Sequence, residues 1–264
     1  MQTQAVAEHI VRWLQDYAAS AHAQGFAVGI SGGVDSAVVS ALAARSGLNV
    51  LLLEMPIRQQ ADQVSRAQEH IARLQSAFAN VKSLRADLTP TFNLFADTVN
   101  VSEAEYPAKQ LALANSRARL RMLTLYYYAQ INGLLVAGTG NKIEDFGVGF
   151  FTKYGDGGVD LSPIADLTKT QVYELAAYLD ILPAIREAVP TDGLWDTERT
   201  DEAQMGASYP ELERAMAAAE AGKTRDDFSG REQEVFDIYT RLNRAAQHKI
   251  RPIPVCEIPP QMLA

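Results

Sequence analysis

Between residues 4 and 20 the apolar positions Val6, Ile10, Val11, Leu14 and Tyr17 recur at the spacing of a helix with one buried face. The pattern then changes. Phe26-Ala27-Val28 lies within a short apolar run over 26–30, and Asn49 to Glu54 (NVLLLE) is almost continuously apolar, as suits parallel strands covered on both faces. Val81-Lys82-Ser83-Leu84 and Leu134-Leu135-Val136-Ala137 predict a third and a fourth strand. Helical patterns fill the intervals, over about 36–46, 59–78 and 109–131, while residues 86–108, with Pro90 and Pro107, read as loop and short helix. Strand and helix alternate, which predicts an α/β fold: an open parallel sheet with helices on both faces. Beyond about residue 165 no strand pattern recurs. Helices over 169–180, 208–220 and 230–247 and a proline-broken tail from Pro252 to Pro260 make a helical C-terminal part. The chain reads as one domain, with the α/β core over about 1–165 and the helical part and tail over 166–264.

The long helix over 109–131 carries more information than its period. Leu111, Ala114, Ala118, Met122, Leu125 and Ala129 predict its buried stripe. Arg121 and Asn115 lie about 60° to either side of Ala118, so Arg121 should meet a carboxylate or a phosphate. Arg119 and Arg117 fall on opposite flanks, and a solvated, snorkelling side chain suits Arg117 best. Tyr126-Tyr127-Tyr128 span about 200° of helix surface and cannot all face one core. With Phe92, Leu94, Phe95, Val99 and Val101 they predict an interface with a second copy of the chain. The alternative is that these residues cover the helical C-terminal part of the same chain.

Candidate chemistry begins at Gly29-Ile30-Ser31-Gly32-Gly33-Val34-Asp35-Ser36, between the first strand and its helix. The first turn of a helix presents unpaired N–H groups and a partial positive charge. Gly32-Gly33 removes the Cβ atoms that would keep an anion away, and Ser31 and Ser36 add hydroxyl donors. Asp35 would repel a bare phosphate but suits one bridged by magnesium. Neither G-x-x-x-x-G-K-[ST] nor G-x-G-x-x-G occurs at this turn. In open parallel sheets ligands sit beyond the carboxyl ends of the strands. If the first and fourth strands are neighbours, Thr139 and Glu144, in Gly138-Thr139-Gly140-Asn141-Lys142-Ile143-Glu144, fall beside Asp35. A Glu that merely caps a helix is the plainer alternative. Residues 150–160 set Phe150, Phe151 and Tyr154 among glycines around Lys153 and predict a binding loop or lid over about 145–160.

Composition narrows the setting. The 264 residues are 47% hydrophobic, enough for one substantial core. The net charge of −8 argues against a nucleic-acid surface. Within this acidic chain Arg117, Arg119, Arg121, Lys142, Lys153 and Lys169 form a local basic cluster suited to an anionic small molecule. Cys256 is the single cysteine, which excludes an internal disulfide and a cysteine-rich zinc site. Met1 to Ala7 lacks the pattern of an export signal and no apolar run reaches membrane-spanning length, so the expectation is a cytoplasmic protein without membrane partners.

The SGGVDS string resembles the pyrophosphate-binding loop of the N-type ATP pyrophosphatases, and with it come further segments in order. These are NSRARLRM (115–122), GTGNKIED (138–145), FFTKYGDGGVD (150–160), Leu167-Thr168-Lys169, Pro190-Thr191-Asp192-Gly193-Leu194, Asp201-Glu202, Gly206-Ala207-Ser208-Tyr209 and His248-Lys249. Together, over about residues 5–255, they resemble the NAD synthetase family, whose fold is adenine nucleotide alpha hydrolase-like. The resemblance implies that ATP, as co-substrate, is held by Gly29, Ile30, Ser31, Gly32, Gly33, Val34, Asp35, Ser36, Thr139, Lys169 and Thr191. It implies Mg2+ on Asp35 and Glu144, and deamido-NAD on Arg119, Lys153, Asp160, His248 and Lys249. Asp35, Glu144 and Lys153 become the candidate catalytic residues. The implied reaction is ATP-dependent amidation of deamido-NAD by ammonia, giving NAD, AMP and pyrophosphate through an acyl-adenylate. A chain that starts one helix before the phosphate loop looks like the ammonia-dependent form, and the family implies a homodimer. Val34 replaces a frequent Gln, the loop after Glu144 is one residue longer, and the tail after Lys249 is proline-rich. Two other readings remain: an N-type pyrophosphatase that adenylates another carboxylate, and a non-catalytic nucleotide-binding module.

Overall fold

The computed structural model describes residues 1–191, 193–195 and 199–263. Its sheet is parallel, in the order β3-β2-β1-β4, built from β1 Gly25–Gly29, β2 Asn49–Glu54, β3 Val81–Arg85 and β4 Leu135–Val136. Ala27 of β1 pairs with Leu51 on one side and Val136 on the other, so the first and fourth strands are indeed neighbours. β4 is shorter than the apolar run that marks it. Beyond Val136 the chain keeps only a parallel bridge from Ala137 to Leu161.

The helices in chain order are α1 Thr3–Ser20, α2 Val34–Arg45, α3 Ala61–Ala77, α4 Thr89–Thr98 and α5 Lys109–Ile131. They continue with α6 Lys169–Tyr178, α7 Pro183–Arg186, α8 Asp201–Met205, α9 Tyr209–Glu220 and α10 Gly230–Ile250. Between β4 and α6, Lys142–Val148 forms a π-helical turn. Among the described residues no helix is long and apolar enough to cross a membrane.

Alternation of side chains along the strands splits the core in two. Phe26, Val28, Val50 and Leu52 face α1, α2, α3 and α6. Ala27, Leu53 and Val136 face α5 through Leu125, Tyr126 and Ala129. α2 is apolar all round and buried along nearly its whole length, the property of a helix enclosed by protein. A third cluster joins Ile143 and Val148 of the π-helical turn to Leu212 and Met216 of α9 and Val235 and Phe236 of α10.

Several expectations change in the structure. α2 begins at Val34, with Gly33 as its N-cap, so Asp35 lies inside the first turn. The 86–108 stretch contains a ten-residue helix, α4, and its Phe92 is fully buried rather than offered to a partner. α4 lies against α5, and the Phe92 ring sits 4.7 Å from the Arg117 guanidinium. Arg117 is therefore 4% exposed, not a solvated flank, and its Nη1 donates to the Leu194 carbonyl at 2.8 Å. Leu111, placed on the buried stripe, is exposed because it lies in the first turn of α5, outside the three apolar clusters. Of the three tyrosines Tyr126 and Tyr128 pack on the core and Tyr127 points outward.

Between α2 and α3 a buried histidine yields a test. His70 is almost wholly enclosed, with Nε2 2.9 Å from Ser40 Oγ. Burial, reinforced by the Arg73 charge, lowers its pKa to about 4. The unfolded chain then takes up this proton first, and stability falls as the pH drops from about 6.5 towards 4, by at most about 3 kcal/mol. In thermal melts, His70→Gln should lose less stability than the wild type between about pH 7 and pH 4.5. Parallel losses in the two proteins would show that His70 does not carry this dependence.

Candidate functional site

The phosphate loop folds on its own side chains. Ser31 Oγ and Ser36 Oγ lie 3.1 Å apart, the Gly33 amide donates to Ser31 Oγ at 3.2 Å, and Ser36 Oγ donates to the Gly33 carbonyl at 3.0 Å. Gly32 has φ +84°, and a Cβ there would come within 2.5 Å of the Gln63 carbonyl oxygen. Glycine lets the loop curl against the first turn of α3.

Three elements then bring charges to one point. α2 supplies Asp35, the π-helical turn supplies Glu144, and the first residue of α6 supplies Lys169. Lys169 Nζ donates to Asp35 Oδ2 at 2.6 Å and to Glu144 Oε1 at 2.9 Å. Its side chain is buried, with the ammonium 4.9 Å from the Tyr209 ring centroid. Tyr209 O–H donates to Glu144 Oε1 at 2.6 Å and reaches Asp201 Oδ2 at 3.3 Å. Asn141 ties the two elements together: Nδ2 donates to Asp35 Oδ1, while Oδ1 accepts the Glu144 backbone amide and caps the π-helical turn. A capping box, Thr168 with Gln171, starts α6 immediately before the lysine.

Burial and charge set the protonation of this group. Burial drives the Asp35 carboxyl above its ordinary pKa, against the pull of Lys169. Burial also acts on Glu144, but Lys169 and the Tyr209 hydroxyl outweigh it and hold that carboxyl low. For Lys169 burial alone would lower the pKa, but its two carboxylates overcome that penalty and raise it. Nearby Asp145 and Asp156 are raised by burial first; for Asp145 the Asp156 carboxylate comes next.

A cavity of about 280 Å³ opens over these groups, lined by residues 29–35, Thr139, Glu144, Lys169 and Thr191. The ATP residues carried by the resemblance thus converge, with Ser36 directly beneath the loop. Asp192 lies outside the described residues. The second set is placed differently. Arg119 Nε reaches the Lys153 carbonyl at 3.4 Å, Lys153 Nζ donates to the His248 carbonyl at 2.5 Å, and Lys249 donates to the carbonyls of Gly149 and Phe151. These four form one basic group at the junction of α5, α10 and the 150–160 loop, and none of them lines the cavity. Asp160 stands apart: Oδ2 accepts the Val136 amide and Oδ1 the Tyr126 hydroxyl. The 145–160 segment is tied to α10 and α5 by these bonds, by Asn243 Nδ2 to the Gly147 carbonyl, and by Thr152 Oγ1 to Asn115 Oδ1.

Arg121 enters the cavity wall, donating to the Met55 carbonyl and to Gln59 Oε1. Sequence reasoning assigned no role to Asn141, Tyr209 or Asp201 at this site. Each stands inside a string quoted for the family, but only the fold shows that Asn141 reaches Asp35 and that Tyr209 links Glu144 to Asp201.

The comparisons with known proteins agree. Residues 6–253 match the family described as NAD synthase. The NH(3)-dependent NAD(+) synthetase of Carboxydothermus hydrogenoformans is 39% identical over 92% of this chain and 93% of its own. That of Archaeoglobus fulgidus is 36% identical over 98% of each. Among solved structures, NMN synthetase from Francisella tularensis superposes with a TM-score of 0.83 and 32% identity, covering 98% of this chain and all of its own. A family match across nearly the whole length, with the convergence of Asp35, Glu144 and Lys169, leaves one conclusion: the chain belongs to the NAD synthase family.

Proposed function

We propose that the cavity over Asp35, Glu144 and Lys169 is where ATP is cleaved in this family's reaction, the amidation of deamido-NAD by ammonia. The observation that carries the reading is the buried Lys169 bridging Asp35 and Glu144 beside the phosphate loop. The nicotinate carboxylate is a poor electrophile, being an anion with no usable leaving group. Its oxygen attacks the α-phosphorus of ATP, and the bond from that phosphorus to the bridging oxygen breaks to release pyrophosphate. Ammonia then attacks the acyl carbon of the adenylate, AMP departs with the oxygen, and the nitrogen loses a proton to give the amide. The reading gives Ser31, Ser36 and the loop amides the departing pyrophosphate, and Lys169 a neutralising charge beside it. Thr139 and Thr191 bound the nucleotide, and positioning is the larger part of the work.

Two half-buried carboxylates converging on one cation, with oxygen as the only donor type, fit magnesium, which is commonly held by one or two carboxylates and the substrate's phosphates. Asp35 and Glu144 would hold it, and when bound it would offset the phosphate charge. Arg119, Lys153, His248 and Lys249 are assigned to deamido-NAD as a basic surface next to the cavity, and Asp160 to the same substrate. With Lys153 outside the cavity wall, its part in catalysis is to hold the substrate's negative groups. A cytoplasmic setting follows from the substrates. The likeness to an NMN synthetase favours one second reading, a mononucleotide acceptor in place of the dinucleotide.

We also propose a homodimer. Leu123, Tyr127 and Ile131, four residues apart, form an exposed apolar stripe on α5, with Leu94, Phe95, Val99 and Val101 exposed nearby in sequence on and after α4.

With ATP, magnesium, deamido-NAD and ammonium the protein should release AMP and pyrophosphate and form NAD; release of ADP would refute adenylation. Turnover with nicotinate mononucleotide but not deamido-NAD would establish the second reading. Asp35→Asn and Glu144→Gln should each lower pyrophosphate release about a hundredfold or more, while circular dichroism stays that of the wild type. Retained release in both would remove them from the ATP site. In sedimentation the wild type should run at twice the chain mass, and Tyr127→Glu or Phe95→Glu should shift it towards one. A fully active wild-type monomer would end the dimer proposal.

A further inference from the structure

One wall of the cavity is a chain of side-chain hydrogen bonds that links three separate elements. Arg121 of α5 donates through Nη2 to Gln59 Oε1 at 2.8 Å, and through Nε to the Met55 carbonyl at 3.0 Å. Gln59 Nε2 donates to Gln63 Oε1 at 2.8 Å, and Gln63 Nε2 to Thr191 Oγ1 at 3.0 Å. Arg121, Gln59, Gln63 and Thr191 all line the cavity.

The direction of this chain follows from chemistry. A guanidinium has only donors, so Gln59 must turn its oxygen to Arg121 and its NH2 onward. Gln63 is then constrained in the same way, and Thr191 Oγ1 accepts a hydrogen bond instead of donating one. Its own O–H is thereby left to donate to something else. An orientation that would be ambiguous in an isolated amide is settled here by the charge at the far end.

Gln63 also touches both sides of the cavity. Its carbonyl lies against Gly32 of the phosphate loop, and its amide holds Thr191. Gly193 has φ +59°, and a Cβ on it would lie 2.5 Å from Gln59 Nε2, so the same amide pair packs directly against Gly193. Arg117 holds the Leu194 carbonyl from the next turn of α5.

We propose that Gln59 and Gln63 are positioning residues for ATP: they keep the Thr191 hydroxyl turned as a donor towards the nucleotide and hold Thr191 and Gly193 beside the phosphate loop. The proposal rests on the reading of Thr191 as an ATP contact. A purely structural amide pair would alter folding stability, but its effect on ATP would not depend on the Thr191 hydroxyl.

Titration calorimetry of the full-length protein with ATP, deamido-NAD omitted, separates these cases through a double-mutant cycle. Thr191→Val should weaken ATP binding about tenfold, the scale of a hydrogen bond to a charged acceptor. Gln63→Met, close in volume but without donor or acceptor, should weaken it severalfold and raise the KM for ATP more than it lowers kcat. The double variant should bind no more weakly than Thr191→Val alone. Multiplying effects, or a Gln63→Met variant that binds ATP like the wild type, would overturn the positioning role. If Thr191→Val itself leaves ATP binding intact, the assignment of Thr191 is wrong and the proposal falls with it. Where the methionine variant melts early, Gln63→Ala takes its place in the same cycle.

Discussion

Much of the molecule can be traced to the burial of one ammonium group. Lys169 lies almost wholly out of solvent, and a lone charge there would be unsustainable. It is held because Asp35 and Glu144 arrive from two other elements with oxygen atoms at hydrogen-bond distance. α2, the π-helical turn and α6 must therefore keep their relative positions, and Asn141 and Tyr209 brace the carboxylates from behind. Losing one partner of such a group costs about 3–5 kcal/mol, because the remaining charge stays buried. Helix packing alone would not define these three termini so closely.

The same group explains the division of labour around the cavity. The phosphate loop grows from β1, one of the two interior strands, into α2, a helix enclosed along nearly its whole length. Its floor is thus the firmest part of the fold. The opposite wall is made of side-chain bonds from Arg121, Gln59 and Gln63, and the basic group around Lys153 and Lys249 relies on backbone carbonyls of a loop.

What can be read from the chain alone follows a simple physical line. Phe26-Ala27-Val28, NVLLLE and the Gly32-Gly33 turn are legible because their cause is local: a run of side chains, a missing Cβ, a helix terminus. The meeting of Asp35 with Glu144 depends on β1 and β4 being neighbours, which the chain alone poses only as a condition and the fold fulfils. Arg117 is misread because its environment depends on α4 packing against α5, which no period in either segment encodes. Tyr209 is invisible as the partner of Glu144 for the same reason, since sixty-five residues separate it from that carboxylate. The loop near 150–160 shows its aromatics and glycines plainly, but not that Asn243 and Lys249 of α10 would hold its carbonyls and those leading into it.

The π-helical turn at Lys142–Val148 has a consequence for how this chain tolerates change in length. Such a turn closes each bond one residue later than an α-helix, and so takes up one extra residue without displacing what lies on either side. Here Glu144 faces Lys169 while Phe150, six residues on, returns its amide to the Glu144 carbonyl. A shortening by one residue would have to rotate everything after the cut by about 100° about the helix axis, unless the wide turn tightened to absorb it. The turn therefore acts as a splice joint. A residue removed here can be absorbed by tightening the turn, with Glu144 keeping its place beside Lys169.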